Sequence, residues 1–108
     1  MKPEEHGRDK ELFIFARFHA REGHQDALTA AIREEIPQAR AEPGCVAIGA
    51  YSSTRDTRLF FIHSQWKDEA AFDIHGEMPH TVHFLKRVEP LIDHALDVNR
   101  TRPLDGLG

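Results

Sequence analysis

One cysteine, Cys45, in 108 residues leaves no intrachain disulfide to stabilise the fold. No apolar run is long enough for a signal peptide or a membrane span, and a reducing cytoplasm is the expected home. Positive charge is in short supply: 14 Lys and Arg face 18 Asp and Glu, for a formal net charge of −4. A chain without an excess of cations lacks the footprint for phosphate backbones, so neither nucleic acid nor an anionic membrane is an expected partner. Low-complexity tracts and internal linkers are absent, which leaves room for one domain. Histidine is the surplus. Eight of them would carry the charge from −4 to −4 + 8 = +4 on full protonation, mostly at about pH 6 to 7. A hydrophobic share of 40% with a charged share of 30% is that of a globular protein rather than a disordered or fibrous one.

Residues 1–10 (MKPEEHGRDK) are polar and aperiodic and read as an arm, 11–103 as the domain, and 104–108 as a tail. Leu12 to Ala20 has strand period: Leu12, Ile14, Ala16 and Phe18 form one apolar set, while Phe13, Phe15, Arg17 and His19 form a mixed one. His24 to Ala41 reads as a helix with an apolar stripe of Leu28, Ala31, Ile32, Ile36 and Ala39. Pro37 weakens its last turn, and Arg33-Glu34-Glu35 reads as its solvated face. Glu42-Pro43-Gly44 stops the helix. Cys45 to Ser53 and Arg58 to Trp66 read as strands around a turn at Thr54–Thr57, with Cys45 packing as a small apolar residue. The second strand sends Phe60, Ile62, Ser64 and Trp66 to one side. Asp68 is a suitable N-cap for a short helix to about His75, and Pro79 suits the first turn of another to about Glu89. A last strand is expected over about Ala95 to Arg102.

The order strand–helix–strand–strand–helix–strand predicts an α+β, ferredoxin-like βαββαβ fold, with helices on one face of a four-stranded antiparallel sheet. The other face would carry Phe13, Phe15, Tyr51 and Phe61, too apolar to stay wet. A homodimer packed sheet against sheet is the simplest cover.

The segments EPGC, FFIHSQWKDEAAFDIHGEMPH and HFLKRV, in this order over roughly residues 12–102, resemble the antibiotic biosynthesis monooxygenase family. The resemblance implies a dimeric α/β barrel and includes quinol monooxygenases that work without cofactor. It places the family's tryptophan on Trp66, its short-helix histidine on His75, its Pro-His pair on Pro79-His80 and its helical phenylalanine on Phe84. Two positions depart from the pattern: Ser64 stands where an acid is common, and Met78 where a Ser or Thr usually caps the last helix. The haem-degrading branch carries an asparagine in the first strand, and its absence here counts against haem chemistry.

Oxidising a phenolic ring without flavin or metal requires a base for the phenolic proton, a donor to hold the anion, and a dry box. His75 is the expected base and the Trp66 indole N–H the expected donor. Phe72, Phe84, Ile62 and Leu85 would form the box, with His80 beside it. The expected partners are a small phenolic, quinol or polyketide-like substrate and dioxygen, with no cofactor. Alternatively, His75 shuttles a proton in an isomerase of a small hydroxy-ketone, or the pocket only binds a ligand. Taken alone, Trp66 reads as a core aromatic and His75 as a half-buried histidine bonded to a carbonyl. His80 and His83, three apart, invite a metal reading with His75. No cysteine or nearby carboxylate in the sequence completes a ligand set, and no metal is expected.

Overall fold

The computed structural model describes residues 10–105. Alternation in the first segment becomes strand β1 (Leu12–His19), followed by helix α1 (Gln25–Arg40), strands β2 (Cys45–Ser52) and β3 (Leu59–Trp66), helices α2 (Glu69–Glu77) and α3 (Pro79–Val88), a 3-10 turn (Glu89–Leu91) and strand β4 (Asp97–Thr101). The sheet order is β2-β3-β1-β4, antiparallel at every pairing, which is the ferredoxin-like topology expected from the sequence. The sheet is open; it does not close on itself. Most of the proposed arm and the last three residues of the proposed tail lie outside the described residues.

Register keeps the two faces apart. Leu12, Ile14, Ala16 and Phe18 of β1 pair with Trp66, Ser64, Ile62 and Phe60 of β3, and all eight side chains are buried under the helices. The alternate set stays outside, with Phe15 50% and Tyr51 58% exposed. The helix-side core falls into two clusters. Ala16, Phe18, Leu28, Ile32, Phe60, Ile62 and Phe84 belong to the larger, while Leu12, Ile14, Trp66 and Ala71 form the smaller.

Three local expectations change. Helix α1 runs through Pro37 to Arg40, and Glu35 is buried with only 4% exposure rather than solvated. Position 35 follows Leu28, Ala31 and Ile32 by seven, four and three residues, so the helical repeat carries it onto the buried stripe. Strand β4 is shorter than 95–102, because Ile92 bridges Ala20 and the Asp93 N–H donates to the His19 carbonyl before the chain joins the sheet. Helix α2 continues past His75 to Glu77. Among the described residues no helix is long and apolar enough to cross a membrane.

Candidate functional site

Helix α2 is fixed at its start, where the Asp68 carboxylate accepts the Ala71 N–H at 2.8 Å. That cap sets the helical phase so that Ala71 joins the smaller core cluster while Phe72 and His75 flank Trp66. The Trp66 and His75 ring centroids are 4.6 Å apart, and Phe72 lies 5.7 Å from each. Gly44 sets the close approach of the β2 start to this helix: a methyl group there would collide with Ala71 Cβ.

The indole N–H does not point at a prospective guest. It donates to Ser64 Oγ at 2.9 Å, because residues two apart on a strand share a face and the short hydroxyl falls within its reach. An indole nitrogen can only donate, so Ser64 accepts and retains its own hydroxyl proton. Ser64 makes no other side-chain hydrogen bond among the described residues.

Two buried carboxylates hold the histidines. His75 Nδ1 donates to Glu42 Oε2 at 2.6 Å, which leaves Nε2 as the lone-pair nitrogen. His80 lies between both acids, with Nδ1 at 2.9 Å from Glu35 Oε1 and Nε2 at 2.9 Å from Glu42 Oε2. Thr81 Oγ1 stands 3.3 Å from His75 Nδ1 and 3.5 Å from His80 Nδ1. A neutral imidazole has a single N–H, so a ring with a carboxylate at each nitrogen fits the cation. Burial alone would lower the basicity of His80, but its bonds to Glu35 and Glu42 outweigh burial and raise it. Burial pushes Glu35 upward in turn, and the bond from His80 draws it back.

A cavity of about 180 Å³ opens between the two core clusters. Ile62, Phe72, Phe84 and Leu85 form much of its apolar wall, and Ser64, His75, Thr81 and Glu35 supply the polar groups. A larger cavity, about 480 Å³, adjoins it at Leu85 and Leu96 and is lined by Arg21, Glu89, Asp93 and His94. Four of its nine lining residues are Arg21, Glu89, Asp93 and His94, whereas the smaller cavity is a mostly apolar box with a few placed polar groups, the pattern that marks ligand sites. Five of the seven residues singled out in the sequence therefore meet around the smaller cavity. Trp66 stands behind Ser64, and His80 stands behind His75 within the acid network. Sequence reasoning missed Ser64, Glu35, Glu42 and Thr81. Glu35 was within reach of the stripe arithmetic, whereas nothing local marks Glu42, which sits in a turn and meets His75 across 33 residues.

The sequence profile of the antibiotic biosynthesis monooxygenase family matches residues 12–87. The chain is similar to the solved structure of PA3566 from Pseudomonas aeruginosa, at 28% identity and TM-score 0.83, covering 90% of this chain and 97% of that one. It is similar to Rv0793 from Mycobacterium tuberculosis, at 27% identity and TM-score 0.83, covering 88% and 96%. A solved structure named antibiotic biosynthesis monooxygenase, 22% identical with a TM-score of 0.82 over 86% of this chain and 98% of that one, shares the fold. No curated protein matches.

Proposed function

Because the chain belongs to the antibiotic biosynthesis monooxygenase family, we propose that it oxidises a small phenol or quinol with dioxygen, without a cofactor, in the cavity beside His75. The observation that carries this reading is the His75–Glu42 bond at the wall of an apolar cavity. A carboxylate on Nδ1 fixes the tautomer and leaves Nε2 ready to accept a phenolic proton, the orienting logic of acid–histidine pairs. Ser64 then donates its hydroxyl proton to the phenolate oxygen, in the role the sequence had given to Trp66. The indole acts one step back by fixing the hydroxyl. Phe72, Phe84, Ile62 and Leu85 keep water from the reactive anion.

The chemistry balances without an outside reductant. A phenol with a free para C–H plus O₂ gives a quinone plus water: one oxygen atom enters the ring, the other leaves as water, and the substrate supplies all four electrons. Cavity size favours one ring over a fused polyketide, since a dry cavity of about 150 Å³ accommodates benzene. A homodimer covering the open sheet face belongs to the same reading; its support is the exposed patch of Phe15, Phe61 and Tyr51.

Oxygen uptake measured with a panel of monocyclic phenols and hydroquinones tests the proposal. Uptake that needs substrate and drops at least about 100-fold in His75→Gln, as the loss of a general base costs, supports it. Turnover under strict anaerobiosis would instead identify an isomerase. Binding without turnover, unaffected by His75→Ala, would leave a ligand-binding protein.

A further inference from the structure

The buried acids of the site have no lysine or arginine partner among the described residues. Glu35 is 4% and Glu42 8% exposed, and histidine protons alone offset their charge. Burying two carboxylates with only imidazoles as partners is costly, and a divalent ion bound by the same side chains would compensate them. The donors are also correctly placed. One ligand atom each from Glu35, His75 and His80 lies within 4.8 Å of the other two, so small side-chain shifts would bring all three to bonding distance of one ion. His80 faces Glu35 through Nδ1 while its Nε2 is held by Glu42 at 2.9 Å, the carboxylate-behind-histidine arrangement that orients metal-bound imidazoles.

We infer that Glu35, His75 and His80 form a binding site for a first-row divalent transition metal such as zinc, with Glu42 as the outer carboxylate that orients the His80 ring through Nε2. Two imidazoles with a carboxylate select such ions over calcium or magnesium, which prefer oxygen donors. Glu35, His75 and Thr81 also line the cavity, so the remaining coordination position faces the space where a substrate oxygen would sit. His75 turns Nδ1 toward the cluster. A metal there displaces the proton shared with Glu42 and moves it to Nε2, so the ring becomes a donor where it had been a base. Metal occupancy and proton abstraction by His75 therefore exclude one another. The site itself rests on donor geometry and burial, not on the oxygenase reading.

The test uses the full chain, stripped of metal, titrated with Zn²⁺ by calorimetry and with Co²⁺ by its visible absorption. Expected are one-to-one binding, Co²⁺ bands of a four- or five-coordinate site, a loss of affinity of about 100-fold or more in Glu35→Gln and in His80→Gln, and a loss of about 10–100-fold in Glu42→Gln. The exposed group His19, Asp93 and His94 is the control, and His94→Ala should leave the affinity unchanged. Wild-type binding no tighter than that of Glu35→Gln, or a loss that follows His94→Ala, overturns the inference. Should His80→Gln fail to fold, as judged by circular dichroism, Glu35→Gln and the Co²⁺ spectrum decide. Zinc saturation should also suppress phenol oxidation. If zinc binds as described while oxidation is unaffected, the metal site stands and the assignment of His75 as base falls.

Discussion

In the proposed reaction Ser64 and Trp66 would divide one task between them, and the division is measurable. Ser64→Ala removes the hydroxyl that faces the cavity and strands the buried indole N–H, at a cost of about 1–3 kcal/mol in stability. Turnover should fall about 100-fold, as when a donor to a developing oxyanion is deleted. Trp66→Phe removes the bond that fixes the hydroxyl and part of a fully buried ring but leaves the hydroxyl itself, so its turnover loss should be the smaller of the two. Steady-state rates and thermal melts of both variants check this, and the reverse order would return the donor role to the indole. The sequence placed Trp66 and Ser64 on one strand face, which is a matter of parity. It did not reveal that the indole would spend its proton on its own neighbour, because that depends on χ angles in a packed core. His75 shows the same limit. Its helical side was legible from Ala71 and Phe72, whereas its tautomer is set by Glu42, distant in the chain and brought near only by the fold.

At the scale of elements, the site depends on how the turn after α1 meets α2. Gly44 lies where any Cβ would collide with Ala71, and its carbonyl accepts the Lys67 N–H at 3.0 Å. Gly44→Ala must push α2 away from the strand or displace the turn that carries Glu42. The expected cost is about 1–3 kcal/mol by chemical denaturation, with a loss of activity beyond what the remaining folded fraction explains. A wild-type melt would show that the turn yields freely. A second junction, at the far end of β1, responds to pH. His19 bonds Asp93 at 2.9 Å and Asp56 at 3.1 Å, with Arg58 3.9 Å from Asp93 and exposed His94 on the same carboxylate. The bonds to Asp93 and then Asp56 raise the His19 pKa, and those from His19 and then His94 lower Asp93 to about 2. A raised histidine stabilises fully below its unfolded value of about 6.5 and loses that contribution as pH rises through the folded value. A lowered aspartate stabilises above about 3.9 and loses its contribution as pH falls toward the folded value. The junction should therefore contribute most between about pH 4 and 6.5. The gap in melting temperature between wild type and Asp93→Asn should be widest there and narrow on either side; a constant gap would show that His19 and Asp93 are not coupled. Strand and helix periodicity made these elements visible in advance. The junctions were not, since each joins residues far apart in sequence through side chains with no repeat.

For the whole molecule, the same alternation that announced the core announced a second apolar surface. The row Tyr51–Phe61–Arg17–Asp97 and the row Gly49–His63–Phe15–Asn99 cross all four strands on the face away from the helices. Phe15 and His63 meet there at a tilt with centroids 4.6 Å apart, and Tyr51, Phe15 and Phe61 are 58%, 50% and 36% exposed. Fold and open face were both legible because period two needs no knowledge of partners. The acid–histidine cluster was hidden for the opposite reason, since it draws on α1, the following turn, α2 and α3 together. A monomer would leave three aromatic rings in water on the open sheet face, whereas two copies packed face to face would bury them and leave Arg17 and Asp97 for cross-strand or intersubunit pairing. Light scattering should therefore give the mass of two chains for the wild type. Phe15→Asp should shift it to one chain, because a desolvated carboxylate at the centre of the face costs more than the ring contributed. Ile74, 59% exposed on helix α2, offers the control: Ile74→Asp adds the same charge to the helix side and should leave the mass at two chains. A wild type of single-chain mass, or dissociation by Ile74→Asp in place of Phe15→Asp, would take the sheet face out of the assembly.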